Sequence, residues 1–455
     1  MIKHRISEQQ LLEGPITPVL IKLAIPLIIA FGFQTSYNFL DRFFVSKLGD
    51  VATAAIGMAF TVQLFIIAIG AGVGVGINSF IARSLGAGNK AAAEQTALHA
   101  FVLALGLGIS ITLGGWLLQE FLFRAMGAEG QLLLYILDYL TIIFAFTPIV
   151  LLGMFTNNIF RGWGDTIYPM VFMVTGMGLN IVLDPLLIFG LGPFPALGIR
   201  GAAWATGISR SIALGLALLV MFGKHQPTRL SFKRLRFSTK IAKGIFQVGL
   251  PSSLSQLLSS ITMGLLFFFL KPFGEAAKAA YTIVFTYDMV AFLPVLGIAQ
   301  SVTILTGHNF GAHKLKRVKA VLRSGIQTAV LLMGIVAALV FTFPVTFAGV
   351  FARSRAVLEI TVQALRILSP GYIFYGFYLI STASFQGLGM GRQYLIANIA
   401  RLYAFQVPLV FLLSLSIGLT GVWLGLLLGN ALSAIATLWW YFYNFRTKIR
   451  LRSRD

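Results

Sequence analysis

Residues Phe33–Val45 read FQTSYNFLDRFFV and lie late in a long apolar segment, 17–47. Within that stretch Gln34, Tyr37, Asn38 and Asp41 fall at i, i+3, i+4 and i+7, which is one face of a helix. A polar stripe on a membrane helix points at protein or at a wet cavity, because lipid offers its backbone and side chains no partners. Asp41 is an acid where hydrocarbon makes acids costly, and ionisable residues inside spans mark ion or substrate pathways. A helix of this kind implies a class for the whole chain: an all-α polytopic membrane protein.

The rest of the chain agrees. Of 455 residues, 57% are hydrophobic and 11% charged, against roughly 25% charged in soluble domains. Apolar segments long enough to cross a bilayer as helices number twelve: 17–47, 52–82, 95–123, 131–158, 166–190, 196–222, 242–272, 277–307, 319–348, 355–384, 393–416 and 419–444. Pro26 and Pro251 are expected bend points in the first and seventh. The longest polar break, KHQPTRLSFKRLRFSTK at 224–240, separates six spans from six. The expected organisation is a cytosolic lead-in at 1–16, an N-lobe at 17–223, an inter-lobe loop at 224–241, a C-lobe at 242–445 and a basic tail at 446–455.

The net charge of +21 invites a nucleic-acid partner, but its distribution speaks against one. With the N-terminus inside, roughly two dozen Lys and Arg fall on one membrane face and about eight on the other, as the positive-inside rule requires. Both termini are then expected in the cytoplasm, in a plasma-membrane protein with no nucleic-acid partner. The first fifteen residues lack the apolar core of a cleavable signal. The chain has no cysteine, so disulfides and thiolate metal sites are out of reach.

Internal symmetry supports the two lobes. Ile25-Pro26 recurs as Leu250-Pro251, Gly49 as Gly274, Gly72 as Gly297, and Gly86-Ala87 as Gly311-Ala312, always 225 residues apart. Phe160, Gly162 and Gly164 recur as Phe385, Gly387 and Gly389 at the same offset, and Gly198 and Gly201 match Gly418 and Gly421 at 220. Each half has an even number of spans, so both enter from one side and are parallel repeats about a pseudo-twofold axis along the membrane normal. Two like lobes of this kind suit alternating access.

Where the repeat fails, scaffold can be told from site. Asp41 maps to Leu266 and Asp184 to about Val407, so both acids belong to the N-terminal half alone. Asp41 lies eight residues before Gly49, Asp184 eight before Gly192, and Thr206 eight after Gly198. All three are expected roughly 12 Å below the outer ends, at 1.5 Å per residue. Asn180 is one turn from Asp184 on the same face. Two carboxylates, an amide and a hydroxyl at one depth supply the oxygens a hard cation prefers. The same grouping would equally serve as a proton site.

These residues carry a resemblance. Asn180-Ile-Val-Leu-Asp184-Pro185, the run from Gln34 to Asp41 and the repeated Phe-x-Gly-x-Gly at Phe160 and Phe385 resemble the multidrug and toxic compound extrusion (MATE) family. The pattern is similar to its DinF-type, archaeal-like branch, since segment seven contains no acid. The resemblance implies two six-helix bundles exporting cationic or amphipathic compounds in exchange for Na+ or H+, with no cofactor. It also implies a coupling site at the positions of Asp41, Asn180, Asp184 and Thr206, which are the metal ligands if the ion is Na+. Tyr37 and Asn157 would join the surrounding polar network, with Gln34 and Asn38 on the same stripe. The expected partners are small organic cations and the bilayer, and the chain is expected to act as a monomer.

Asp288 in segment eight stands outside that pattern. Counting inward from the outer turns places it near the depth of Arg366 in segment ten, so a structural ion pair is expected. An enzyme is not expected. Gly162-Trp163-Gly164-Asp165 and Tyr287-Asp288 mimic the GxGD and YD of intramembrane proteases, but in reversed order. No HExxH, GxSxG or Walker loop is present, so energy must come from an ion gradient. The alternative transporter reading is an ion-coupled flippase for lipid-linked precursors, whose cavity should be lined by basic residues. The N-terminal spans offer few, notably Arg210.

Overall fold

The computed structural model describes residues 6–223, 230–234 and 236–452; the side chains of 37–39, 42, 234 and 446–452 lie outside the described residues. A short helix α1 (Glu8–Glu13) precedes six continuous helices: α2 (Ile16–Ser46), α3 (Asp50–Gly86), α4 (Lys90–Ala125), α5 (Gly130–Gly162), α6 (Ile167–Phe189) and α7 (Ile199–Met221). The second half is more broken. After α8 (Thr239–Leu270) come α9 (Gly274–Ala291) and α10 (Leu293–Gly311), separated at Phe292 just before Pro294. Then follow α11 (Leu315–Thr342), the short α12 (Pro344–Phe351), and the pair α13 (Arg355–Leu368) and α14 (Gly371–Gly387), bent by 51° across Ser369-Pro370. The eleventh span is α15 (Gly391–Ile399), a π-helical stretch from Ala400 to Gln406, and α16 (Val407–Ile417); α17 (Leu419–Arg452) ends the chain.

Ten of these described runs are long and apolar enough to cross a membrane, or eleven with the bent α13–α14 pair. The run from Thr239 to Ala291 joins α8 to α9. With α9 and α10 taken as the eighth span, the twelve expected spans are all helical. The repeat is visible in the backbone. Gly49 and Gly274 have φ of 103° and 82°, and Gly164 and Gly389 have φ of 80° and 74°. A side chain there would be strained, which is why glycine recurs at these turns.

The compact units do not follow the expected lobe boundaries. One unit spans Ile29–Ser253; the other joins Glu8–Ile28 to the chain from Leu254 onward. The first helix of each sequence half therefore changes allegiance part-way, and the two change points, after Ile28 and after Ser253, are 225 residues apart. Each lies two residues past a proline inside an unbroken helix, Pro26 in α2 and Pro251 in α8. Proline removes one backbone hydrogen bond there. Close approaches repeat the exchange. A Cβ on Gly72 would overlap the Ser253 backbone, and one on Gly297 would meet Ile28 and the Ala24 carbonyl. Those two contacts are related by the same offset.

The segments leading into the exchanged helices are stitched in the same manner. In the second unit, Leu11 is fully buried, the Asn309 amide donates to its carbonyl at 3.1 Å, and Arg317 donates to the Gly14 carbonyl at 2.8 Å. In the first unit, the Ser238 amide donates to His99 Nε2 at 2.9 Å and the Arg236 amide to the Gln95 side chain at 3.1 Å. At the C-terminal end of α1, the Leu12 carbonyl accepts from Lys314 at 3.3 Å and the following Gly14 carbonyl from Arg317, so two cations sit where the end of a helix favours them.

Candidate functional site

The site is built on α6 and α7 of the first unit, with α2 contributing Asp41. Their register follows from small residues. A Cβ on Gly201 would run into the Leu187 carbonyl, and one on Gly176 would come to 3.1 Å from the Ala213 Cβ. Those two close approaches, one near each end of the antiparallel pair, put Thr206 level with residues 182–183, between Asn180 and Asp184.

Asn180 and Asp184 are both buried, and the Asn180 Nδ2 donates to Asp184 Oδ1 at 3.2 Å. Among the described residues the Asn180 Oδ1 is buried without a hydrogen-bond partner. A buried acceptor left open is expensive, and a small hard cation is one of the few species that would satisfy it beside a carboxylate. Asp41 is half-buried and its carboxylate interacts electrostatically with that of Asp184. Thr206 is half-buried on α7. Among the described residues, no group of three or more His, Cys, Asp or Glu could hold a metal, so any cation here would rely on amide and hydroxyl oxygens as well as the two acids.

The outer members of the expected network are less closely tied. Gln34 is half-buried on α2, while the Tyr37 and Asn38 side chains lie outside the described residues. Asn157 is half-buried near the C-terminal end of α5, and among the described residues its Oδ1 is buried without a partner. No hydrogen bond joins it to Asn180 or Asp184 among the described residues.

The expected pair of Asp288 and Arg366 does not form. Asp288 accepts a hydrogen bond from the Tyr372 hydroxyl at 2.7 Å, and Arg366 is exposed. The reason is the break in span ten. The buried side of α13 is Thr361, Ala364, Leu365 and Leu368, which leaves Arg366 outward, and the 51° bend then brings Tyr372 of α14 to the acid. Asp165 also has an architectural role, since its Oδ1 accepts from the backbone amides of Ile167 and Tyr168 at 3.0 and 3.2 Å. It caps the start of α6. Sequence reasoning passed over Arg401, which stands inside the eleventh apolar span. Its charge in the middle of segment 393–416 was the signal that could have found it.

The model of the family described as MatE matches residues 26–186 and 251–412, one match in each repeat. The chain belongs to the MatE family. It is 30% identical to a FAD transporter of Shewanella oneidensis over 427 residues, covering 94% of each chain. It is 27% identical to the multidrug export protein MepA of Staphylococcus aureus over 428 residues, covering 94% of this chain and 93% of that one. A solved outward-facing structure of a multidrug resistance MATE family transporter superposes with a TM-score of 0.92 at 34% identity, covering 97% of this chain and 99% of the other. A MATE structure in a bent conformation gives the same score and identity, covering 99% and 100%. The MatE chain is accordingly a multi-pass membrane transport protein whose helices make up twelve spans.

Proposed function

We propose that this MatE protein is a secondary active multidrug exporter, moving organic cations and amphipathic compounds out of the cell against an inward flow of Na+ or H+. The names of MepA and of the multidrug resistance MATE structure support the substrate class. The observation that carries the coupling is the buried Asn180–Asp184 pair with an open amide oxygen, facing a second acid, in only one of two matching repeats. Entry of a cation or proton would neutralise the acids and remove their attraction for a cationic substrate. Substrate and ion then compete, and exchange follows.

The reading places the protein in the plasma membrane as a monomer with both termini in the cytoplasm, consistent with the basic bias of the inner loops. A lipid-linked precursor flippase is not favoured, because the coupling unit is acidic where a pyrophosphate would need cations. The FAD-transporter name of the Shewanella relative extends the candidate cargo toward aromatic compounds that carry negative charge. The test is export from proteoliposomes of purified protein with a panel of cationic dyes, under an imposed Na+ gradient and then an imposed pH gradient. One gradient should drive dye against its concentration; failure of both would remove the proposal.

A further inference from the structure

A half-buried charge of the opposite sign lies in the other unit. Arg401 belongs to the π-helical stretch Ala400–Gln406, in the middle of the 27-residue span Gly391–Ile417. π-turns inside helices are frequent at functional sites, and a cation at this depth is costly without a partner. Among the described residues no carboxylate pairs with it. Its Nη1 donates to Gln406 Oε1 at 3.3 Å and its Nη2 to Asn398 Oδ1 at 3.4 Å, both long bonds to neutral amides, while its Nε is buried without a partner among the described residues. Those amides are fixed by other partners. Asn398 donates to the Ser255 carbonyl at 3.0 Å and its Oδ1 also accepts from the Tyr378 hydroxyl at 3.0 Å, while Gln406 donates to Asn430 at 3.1 Å.

The guanidinium lies against aromatic faces, 4.9 Å from the ring centre of Tyr378 and 5.6 Å from that of Tyr375. From Tyr375 the aromatic tier continues to Phe292 at 4.4 Å and on to Tyr372 at 5.3 Å, whose hydroxyl donates to Asp288. Arg401, Tyr375, Phe292 and Asp288 are all only half-buried. The result is a tier with a cation at one end, a carboxylate at the other and flat rings between them. Guanidinium prefers a bidentate carboxylate to two weak amide contacts, and aromatic rings offer stacking to a flat ligand. A lipid phosphate sits at the membrane surface, far from the middle of this span, which leaves a transported compound as the source of the anion.

We propose that Arg401 receives the carboxylate of a zwitterionic aromatic ligand whose rings stack on Tyr375 and Phe292, so that this unit selects cargo by an anionic group. The inference deepens the export reading and rests on it for the word cargo. Binding, however, is measured without any gradient, so the two can fail separately. Rhodamine B carries a free carboxylate, and its ethyl ester has the same ring system and cation with that carboxylate masked. Fluorescence anisotropy with the purified full chain should show rhodamine B binding about tenfold more tightly than the ester. Arg401→Gln should reduce rhodamine B to the affinity of the ester and leave the ester unchanged. Equal affinities of the two dyes for the unaltered protein would overturn the proposal whatever the variant does, as would a variant that weakens both dyes alike. Loss of gradient-driven export with the carboxylate preference intact would count against the export reading alone.

Discussion

Spans five and eleven occupy the same place in the two repeats and have opposite electrical characters. In α6 a regular 23-residue helix presents Asn180 hydrogen-bonded to the acid Asp184. In its counterpart, 27 residues with a π-helical centre present Asn398 hydrogen-bonded to Arg401. An amide steadies the charge in both, but one helix keeps its α geometry through Pro185 while the other widens before Pro408. Duplication preserved the turns and the close helix contacts. The charges differ between the two spans while the turns match, which separates scaffold from site more sharply than either half does alone.

The largest effect should come from the shared scaffold. Gly201 and Gly421 match in the repeat, and a Cβ at either would overlap a backbone carbonyl, that of Leu187 or of Leu413. Gly201→Val and Gly421→Val should each cost about 3 kcal/mol or more, because backbone cannot yield as a side chain can. Thermal unfolding and size-exclusion profiles in detergent would check this. A variant that folds normally at one site and fails at the other would break the claim that the two connections are equivalent.

A smaller effect concerns the second unit alone. Tyr372→Phe removes a hydrogen bond to a carboxylate and should lower stability by about 2 kcal/mol. Arg366→Gln should change it by less than about 0.5 kcal/mol, and should add nothing to Asp288→Asn. A strong coupling between positions 288 and 366 in the double variant would restore the ion pair that the bend at Ser369-Pro370 excludes.

The smallest effect lies at the stitched lead-in. Hydrogen bonds from Lys314, and secondarily from Gln9, hold the Glu13 carboxyl below its usual range. A carboxyl held low in the folded protein contributes stability that is present above the ordinary glutamate range and is lost as pH falls through the folded value. The group is exposed, so solvent screens the effect. The melting temperature should dip slightly more on acidification in the unaltered protein than in Glu13→Gln; identical profiles would show that this contact does not help to hold α1.

Much of the fold was legible from local pattern. Apolar runs define helices because every backbone group in lipid must be satisfied within its own segment, and Gly49 with Gly274 marks a turn that only glycine makes comfortably. The exchange of the first turns of α2 and α8 between units was not legible, since it depends on which helices pack together rather than on the residues of either. The site divided in the same way. Asp184 and Asn180 are one turn apart on one helix, so their pairing follows from spacing alone. The partner of Asp288 depended on a bend that redirects a whole helix, and straight counting from the loops chose Arg366. Pro370 was the available sign of that bend.

The central claim is that the acids of the first unit couple export to an ion. Its most direct test is gradient-driven dye export in proteoliposomes carrying the Asp41→Asn, Asp184→Asn double variant beside the unaltered protein. The account predicts that the double variant, folded and still binding dye, responds to neither a Na+ nor a pH gradient while the unaltered protein responds to one. A double variant that concentrates dye as fast as the unaltered protein would contradict it.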